Sequence, residues 1–301
     1  MSTSDDVVIK RLISYPDGTV YEGEFKDGMA HGKGKMVLAN GIAYEGEWQD
    51  GMPHDRGKVT SADGSIFDGE FEDGFLRKGK VMLADGTIVY EGELKDDNPH
   101  GRGKVMSADG SIIDGEFEDG FLRKGKVSLA DGSVYEGELK DGKPHGRGKV
   151  TAAGGDIFDG EFKDGFLHKG KMSYVNGDIF DGEFEDDFLH KGKMLYADGS
   201  TFEGEWKDDC MHKGKMTLAS GTVYEGEWKD DEANGVGIQW CIDGVVCEGE
   251  FKDGFLHNGK KTYTNGNIFE GELKDGFLHK GKMMYANGDV YEGEWKDGKR
   301  E

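Results

Sequence analysis

The chain has 301 residues, 52 of them glycine and 4 proline. This is more than twice the usual share of glycine without the proline of collagen or of stiff linkers. With 61 acidic against 38 basic residues the formal net charge is −23 at pH 7, which argues against binding nucleic acid phosphates and against electrostatic docking on anionic lipid. One third of the residues are charged, yet 11% are aromatic, too many for a disordered chain; the composition points to a repeat in which each residue type holds a fixed station.

In chain order, Met1–Asp6 is polar and acidic and does not read as a signal peptide. No apolar run approaches the ~18 residues of a membrane helix. Residues 1–14 read as an N-terminal cap, with Val7–Ser14 a lone strand carrying Lys10 and Arg11. Val20–Phe25 alternates residue types at period two, the mark of a strand. Lys26-Asp27-Gly28 starts a turn, Gly34–Leu38 is a second strand, and Asn40-Gly41 makes the next turn.

This hairpin recurs. An anchor of aromatic, acid, Gly, Glu and then Phe, Trp or Leu begins at Tyr21, Tyr44, Phe67, Tyr90, Ile113, Tyr135, Phe158, Phe180, Phe202, Tyr224, Cys247, Phe269 and Tyr291, 13 anchors in steps of 22 or 23 residues. The spacing predicts an all-β fold: an antiparallel meander of hairpins running continuously over 15–298, leaving no room for a catalytic domain. At strand spacing of ~4.8 Å such a sheet is roughly 120 Å long. If Asn40-Gly41 centres a two-residue turn, Leu38 faces Tyr44, Met36 faces Gly46 and Gly34 faces Trp48. The inner face is then aromatic, with glycines that let the rings lie flat. The outer face carries Glu22 and Glu24 beside Lys33 and Lys35.

Tyr21-Glu22-Gly23-Glu24-Phe25, followed by Asp27-Gly28, His31-Gly32-Lys33-Gly34 and Asn40-Gly41, resembles the MORN (membrane occupation and recognition nexus) repeat. Tyr44–Gly64, Tyr90–Gly110 and Tyr135–Gly155 are similarly close, with Asp55 replacing a Gly, while other repeats lack one residue, as at Gly74–Gly79. The resemblance implies an elongated, single-layer, twisted open sheet with an aromatic-lined groove. It further implies a scaffold, adaptor or targeting role, often as a dimer. Similar arrays occur in protists, bacteria and large DNA viruses.

Candidate chemistry is sparse. His31, His54, His100, His145, His168, His190, His212, His257 and His279 all sit six residues after an anchor, with Arg77, Arg123 and Asn234 at the same station. Equivalent strands lie about 10 Å apart, too far to share a metal ion held at about 2 Å, so these read as turn residues. The recurring acids form no single asymmetric pocket of the kind catalysis needs. Gly-x-Gly never leads from a strand into a helix, so no phosphate cradle is read. No catalytic residue, metal or cofactor is expected. Cys210, Cys241 and Cys247 make no disulfide framework. Cys241 and Cys247 fit one hairpin pairing, where a disulfide is geometrically conceivable, and read as buried fillers in a reducing, intracellular, cytoplasmic setting.

Two features stand out as partner-binding candidates. Shortened turns carry Phe75-Leu76, Phe121-Leu122, Phe166-Leu167, Phe188-Leu189, Phe255-Leu256 and Phe277-Leu278. These phenylalanines either fold back to roof the groove, the reading preferred here, or form an exposed docking stripe. The repeat after Tyr224 points Trp240 outward beside Ile238, where its neighbours carry Lys. At the last anchor, Val290, Tyr291, Gly293 and Trp295 lie on a strand with no following strand, the expected edge of a homodimer. The function read from all this is a non-enzymatic scaffold or adaptor for protein partners, binding no nucleic acid. The alternatives are a lipid-associated targeting module and a virion structural component.

Overall fold

The structure, a computed structural model, describes residues 8–186, 188–296 and 299–300. Residues 1–7 of the expected cap and Asp187 and Asp297-Gly298 of the expected array lie outside the described residues. Those described form strands and turns, with no helix and therefore none long and apolar enough to cross a membrane. They divide into two compact units, Met1–Ala153 and Gly154–Glu301. In the first, each strand from Ile9–Ser14 to Lys143–Thr151 pairs antiparallel with the next. In the second, the same meander runs from Ile157–Lys163 to Val290–Lys296, followed by the short strand Lys299–Arg300.

Two kinds of turn alternate, each following from its residues. At Asp27-Gly28 both φ angles are positive, 51° and 83°, and Lys26 pairs with Met29. This is a two-residue type I′ hairpin, whose twist matches that of the strands and which Asp-Gly suits. At the other end, the Gly41 amide donates to the Leu38 carbonyl at 2.9 Å and the Leu38 amide to the Ile42 carbonyl at 2.8 Å. Gly41 alone has positive φ there. The loop is a type I turn closed by a left-handed Gly, three residues long rather than two. Pairing is consequently Met36 with Tyr44, Gly34 with Gly46 and Gly32 with Trp48. The expected register is therefore corrected by two residues. Because side chains alternate with period two, the faces stay as expected.

The second strand of each hairpin bulges. In the short form Glu70 pairs with Lys78 and Phe71 with Leu76, leaving Arg77 as the extra residue. In the long form Gly23 pairs with Gly34 and Phe25 with Ala30, so Glu24 has no residue opposite it in Met29–Val37. The long bulge turns through a left-handed residue, Gly32 at φ 65°. Asp55 holds that conformation in the second repeat at φ 54°, a place Asp tolerates better than most residues.

The buried face is an edge-to-face ladder of rings. Tyr21 meets Phe25 and Trp48, and Tyr44 meets Trp48 and Phe71, with centroids 5.0–5.2 Å apart and planes near perpendicular. The second unit repeats this through Phe180, Trp206, Phe202, Trp228, Tyr224 and Phe251. Perpendicular rings set a positive edge against a negative face. The ladder requires the glycines: a Cβ on Gly23 or Gly34 would run into the Tyr21 ring. The Trp48 indole donates to the Gly34 carbonyl at 3.1 Å and Trp228 does the same to Gly214.

Candidate protein-interaction surfaces

The type I′ turns decide the fate of the Phe-Leu pairs. After such a turn Phe75 lies opposite Glu72, on the outer side, while Leu76 lies opposite Phe71, on the inner side. Leu76, Leu167, Leu189 and Leu256 are buried and Leu122 and Leu278 half-buried. Phe75, Phe121, Phe166, Phe188, Phe255 and Phe277 are exposed, from 47% to 69%. The expected roof over the groove is corrected: strand parity turns these rings outward and gives the roofing position to leucine. Each ring is flanked by charge. Phe166 sits opposite Lys163 and Phe188 opposite Glu185, next to Asp164 and Asp186 in the same turns.

The histidine station is the bulge itself, and its residues reach back to the turn. Arg123 Nε lies 3.0 Å from Glu118 Oε2, Arg77 Nε 3.3 Å from Glu72 Oε2, and His190 Nδ1 3.4 Å from Glu185 Oε2. In long repeats the imidazole instead faces the next turn, His31 Nδ1 lying 4.0 Å from Asp50 Oδ1.

On the inner face of the second unit, a groove of about 880 Å³ has Met172, Met194, Tyr174, Tyr196 and Trp206 among its lining and Asp178, Asp198, Asp209 and Asp231 along it. Burial pushes the Tyr174 and Tyr196 hydroxyls above their ordinary pKa, and the neighbouring aspartates add to it. These acids also hold the backbone, Asp209 accepting from the Leu189 amide and Asp231 from the Met211 amide.

The outer face carries the expected Lys–Glu ladder, with Lys35 Nζ 3.3 Å from Glu45 Oε2 and Lys80 Nζ 3.2 Å from Glu91 Oε1. It also carries a row that was not anticipated: Val37 beside Ala43, Met82 beside Ile88 and Leu195 beside Thr201 lie next to the turns on this face. The signal was present in the residue before each anchor, which is β-branched everywhere except Ala43. Trp240 joins the row between Val223 and Val246, exposed as expected.

All three cysteines are free thiols, with Cys210 exposed, Cys241 half-buried and Cys247 buried. The shifted register pairs Cys247 with Gln239 rather than Cys241. Burial pushes the Cys247 thiol up to about 11.

At the C-terminal edge Val290 is exposed, but Trp295 is buried against Phe269 and Tyr291. The expectation that no strand follows this anchor is corrected. Lys299–Arg300 pairs with Lys296 and Trp295, and the Arg300 guanidinium stacks over Tyr285 and Tyr291 at 4.8 and 5.0 Å. Gly293 pairs with Gly281. At the other end Ile9–Ser14 pairs with Val20–Lys26.

A family model described as MORN repeat matches residues 21–42, 44–66, 90–112, 135–157, 158–179, 180–201, 202–223, 224–246, 247–268, 269–290 and 291–301. The stretches 67–89 and 113–134, which it leaves out, hold the same hairpins, Ile66–Glu72 with Phe75–Met82 and Ile112–Glu118 with Phe121–Ser128. No curated protein matches the chain. Among solved structures, the TCP10 domain of Danio rerio CPAP in complex with a peptide of STIL is 12% identical, over 94% of this chain and 97% of that one, at a TM-score of 0.21. The SAS-4 TCP domain of Drosophila melanogaster with a proline-rich motif of Ana2 is 11% identical, over 78% and 86%, at 0.17.

Proposed function

This chain belongs to the MORN repeat family, and on that premise we propose that it is a non-enzymatic intracellular scaffold or adaptor that holds protein partners along its sheet. The observation that carries the reading is the row of exposed phenylalanines that open the strands of the shortened repeats, each beside a leucine on the inward side. Packing explains the leucines and leaves the rings available to a partner, the kind of apolar surface that marks an interaction site. The test is a pull-down with mass spectrometry. The full chain is compared with a variant carrying Ser at Phe166, Phe188, Phe255 and Phe277. Partners retained equally by both forms would remove the Phe edge from the proposal.

Homodimerisation through Val290, Tyr291, Gly293 and Trp295 is part of this reading, supported by the exposed Val290 on that strand. Light scattering of the parent against Val290→Lys tests it. A monomeric parent at micromolar concentration removes it.

Association with lipid is the second reading, favoured by the same exposed rings. Asp164, Asp186 and Asp275 in the turns set negative charge beside them, which anionic lipid opposes. Flotation with phosphatidylserine vesicles separates the two.

A further inference from the structure

We propose that the outer face around the strand Glu232–Trp240 docks a cationic amphipathic segment of a partner protein, an apolar ridge flanked by Lys or Arg. The inference rests on the scaffold reading but not on the Phe edge.

Four long repeats set two cations on the outer face of their second strand: Lys33 and Lys35, Arg56 and Lys58, Arg102 and Lys104, Arg147 and Lys149. Each row meets glutamates or aspartates on the strands beside it, as Lys33 meets Glu47 and Lys35 meets Glu45. In Glu232–Trp240 these stations are Val236 and Ile238, and the next outward residue is Trp240. The acids opposite are kept. Ile238 lies between Glu225 and Glu248, and Val236 lies opposite Glu250. On the far side of Glu250 stands Asn258, where the other short repeats have Lys, as at Lys169, Lys191 and Lys280. Glu250 therefore has no cation opposite it on either neighbouring strand. Three cation stations are given up on two strands that flank Val246–Lys252, and no acid is given up with them.

The outcome is an apolar strip between two rows of carboxylates. Val236 is 62% exposed, Trp240 38%, and Ile242, next along in the turn, 73%. Strands ~4.8 Å apart place the two Glu rows about 10 Å from each other, the width of one helix. An apolar ridge fits the strip and Lys or Arg on either flank meets the glutamates. A second copy placed on the same patch by a two-fold axis would set Glu against Glu, which electrostatic complementarity disfavours.

The probe is a fluorescein-labelled peptide of about 18 residues, Leu along one helical stripe and Lys on both sides, titrated against the full chain by anisotropy. Its analogue carries Glu for Lys. The expected result is binding of the basic peptide that weakens with salt, and an analogue at least about tenfold weaker. Val236→Lys/Ile238→Lys restores the residues that other repeats carry, so the fold tolerates it, and is expected to weaken binding at least about tenfold. Met29→Lys/Met52→Lys, of the same net charge, binds as the parent does. No binding of the basic peptide, equal binding of both peptides, or an unaffected Val236→Lys/Ile238→Lys chain overturns the proposal. So does a parent dimer that this double substitution makes monomeric, since the patch then serves a second copy. Partner capture lost on removing the Phe rings with peptide binding intact bears on the Phe edge; the reverse bears on this patch alone.

Discussion

The Tyr21 hydroxyl donates to the carbonyl of Glu24 at 3.1 Å, and Glu24 is the residue left without an opposite number by the long bulge. The same bond joins Tyr44 to Glu47, Tyr90 to Glu93, Tyr135 to Glu138 and Tyr224 to Glu227, and each of these glutamates is skipped by the ladder to the following strand. Where the bulge is short the glutamate is paired, as Glu183 with Lys191, and the anchor is Phe180. Phe67, Phe158, Phe202 and Phe269 follow the same rule. Tyr291 donates in the same way to the Glu294 carbonyl at 3.4 Å, and Glu294 has no residue opposite it in Lys299–Arg300; tyrosine thus appears where the glutamate has no partner on the following strand and its carbonyl takes a donor from the ring instead.

Removing that donor should cost stability only in long repeats. Tyr44→Phe is expected to lower unfolding stability by about 1 kcal/mol, the usual net worth of such a bond. Phe180→Tyr gains no equivalent, since no skipped carbonyl waits for its hydroxyl. Urea titrations of the two variants beside the parent check the contrast; equal losses would reject the pairing of Tyr with the long bulge.

The same tyrosines predict alkaline sensitivity. Burial, with the nearby glutamates after it, pushes Tyr21, Tyr44, Tyr90 and Tyr224 up to about 12, against an ordinary value of 10.0. Between these values the unfolded chain has released protons that the folded chain retains. Stability is therefore complete below pH 10 and falls as pH rises toward 12. Urea midpoints measured across that interval should fall for the parent and fall less for Tyr21→Phe/Tyr224→Phe.

Glycine substitutions should separate space from backbone angle. Gly34→Ala puts a methyl into the Tyr21 ring and is expected to cost about 3 kcal/mol, as overpacking does. Gly28→Ala meets no atom within 4 Å but sits at φ 83°, so only strain of about 1 kcal/mol applies. Gly154→Ala has open space and no positive φ and should be neutral. Thermal melts of the three variants test the order.

The Phe-Leu pairs should divide cleanly. Leu189→Ala empties a buried position beside Phe184 and is expected to cost about 2–4 kcal/mol. Phe188→Ser should stay within about 0.5 kcal/mol of the parent. A large loss for Phe188→Ser would mean that the ring is structural and would withdraw it from the docking row.

Residues alone made the strands, the Asp-Gly turns and the period legible, because turn chemistry and alternation are local properties of the chain. The two faces were equally legible, and they survived a wrong register: an error of two residues leaves every side chain on its own side. The partners across the strands needed the tertiary structure. Asn40-Gly41 reads the same in a two-residue and a three-residue turn, and only the bond from the Gly41 amide to the Leu38 carbonyl separates them. Phe and Leu are both apolar, so composition is silent on which one enters the core at 75–76. The type I′ turn and the bulge behind it decide, pairing Leu76 with Phe71 and Phe75 with Glu72. Trp295 was likewise legible as an aromatic anchor residue, but its burial depends on Phe269, one repeat earlier, a contact that exists only once the strands are stacked.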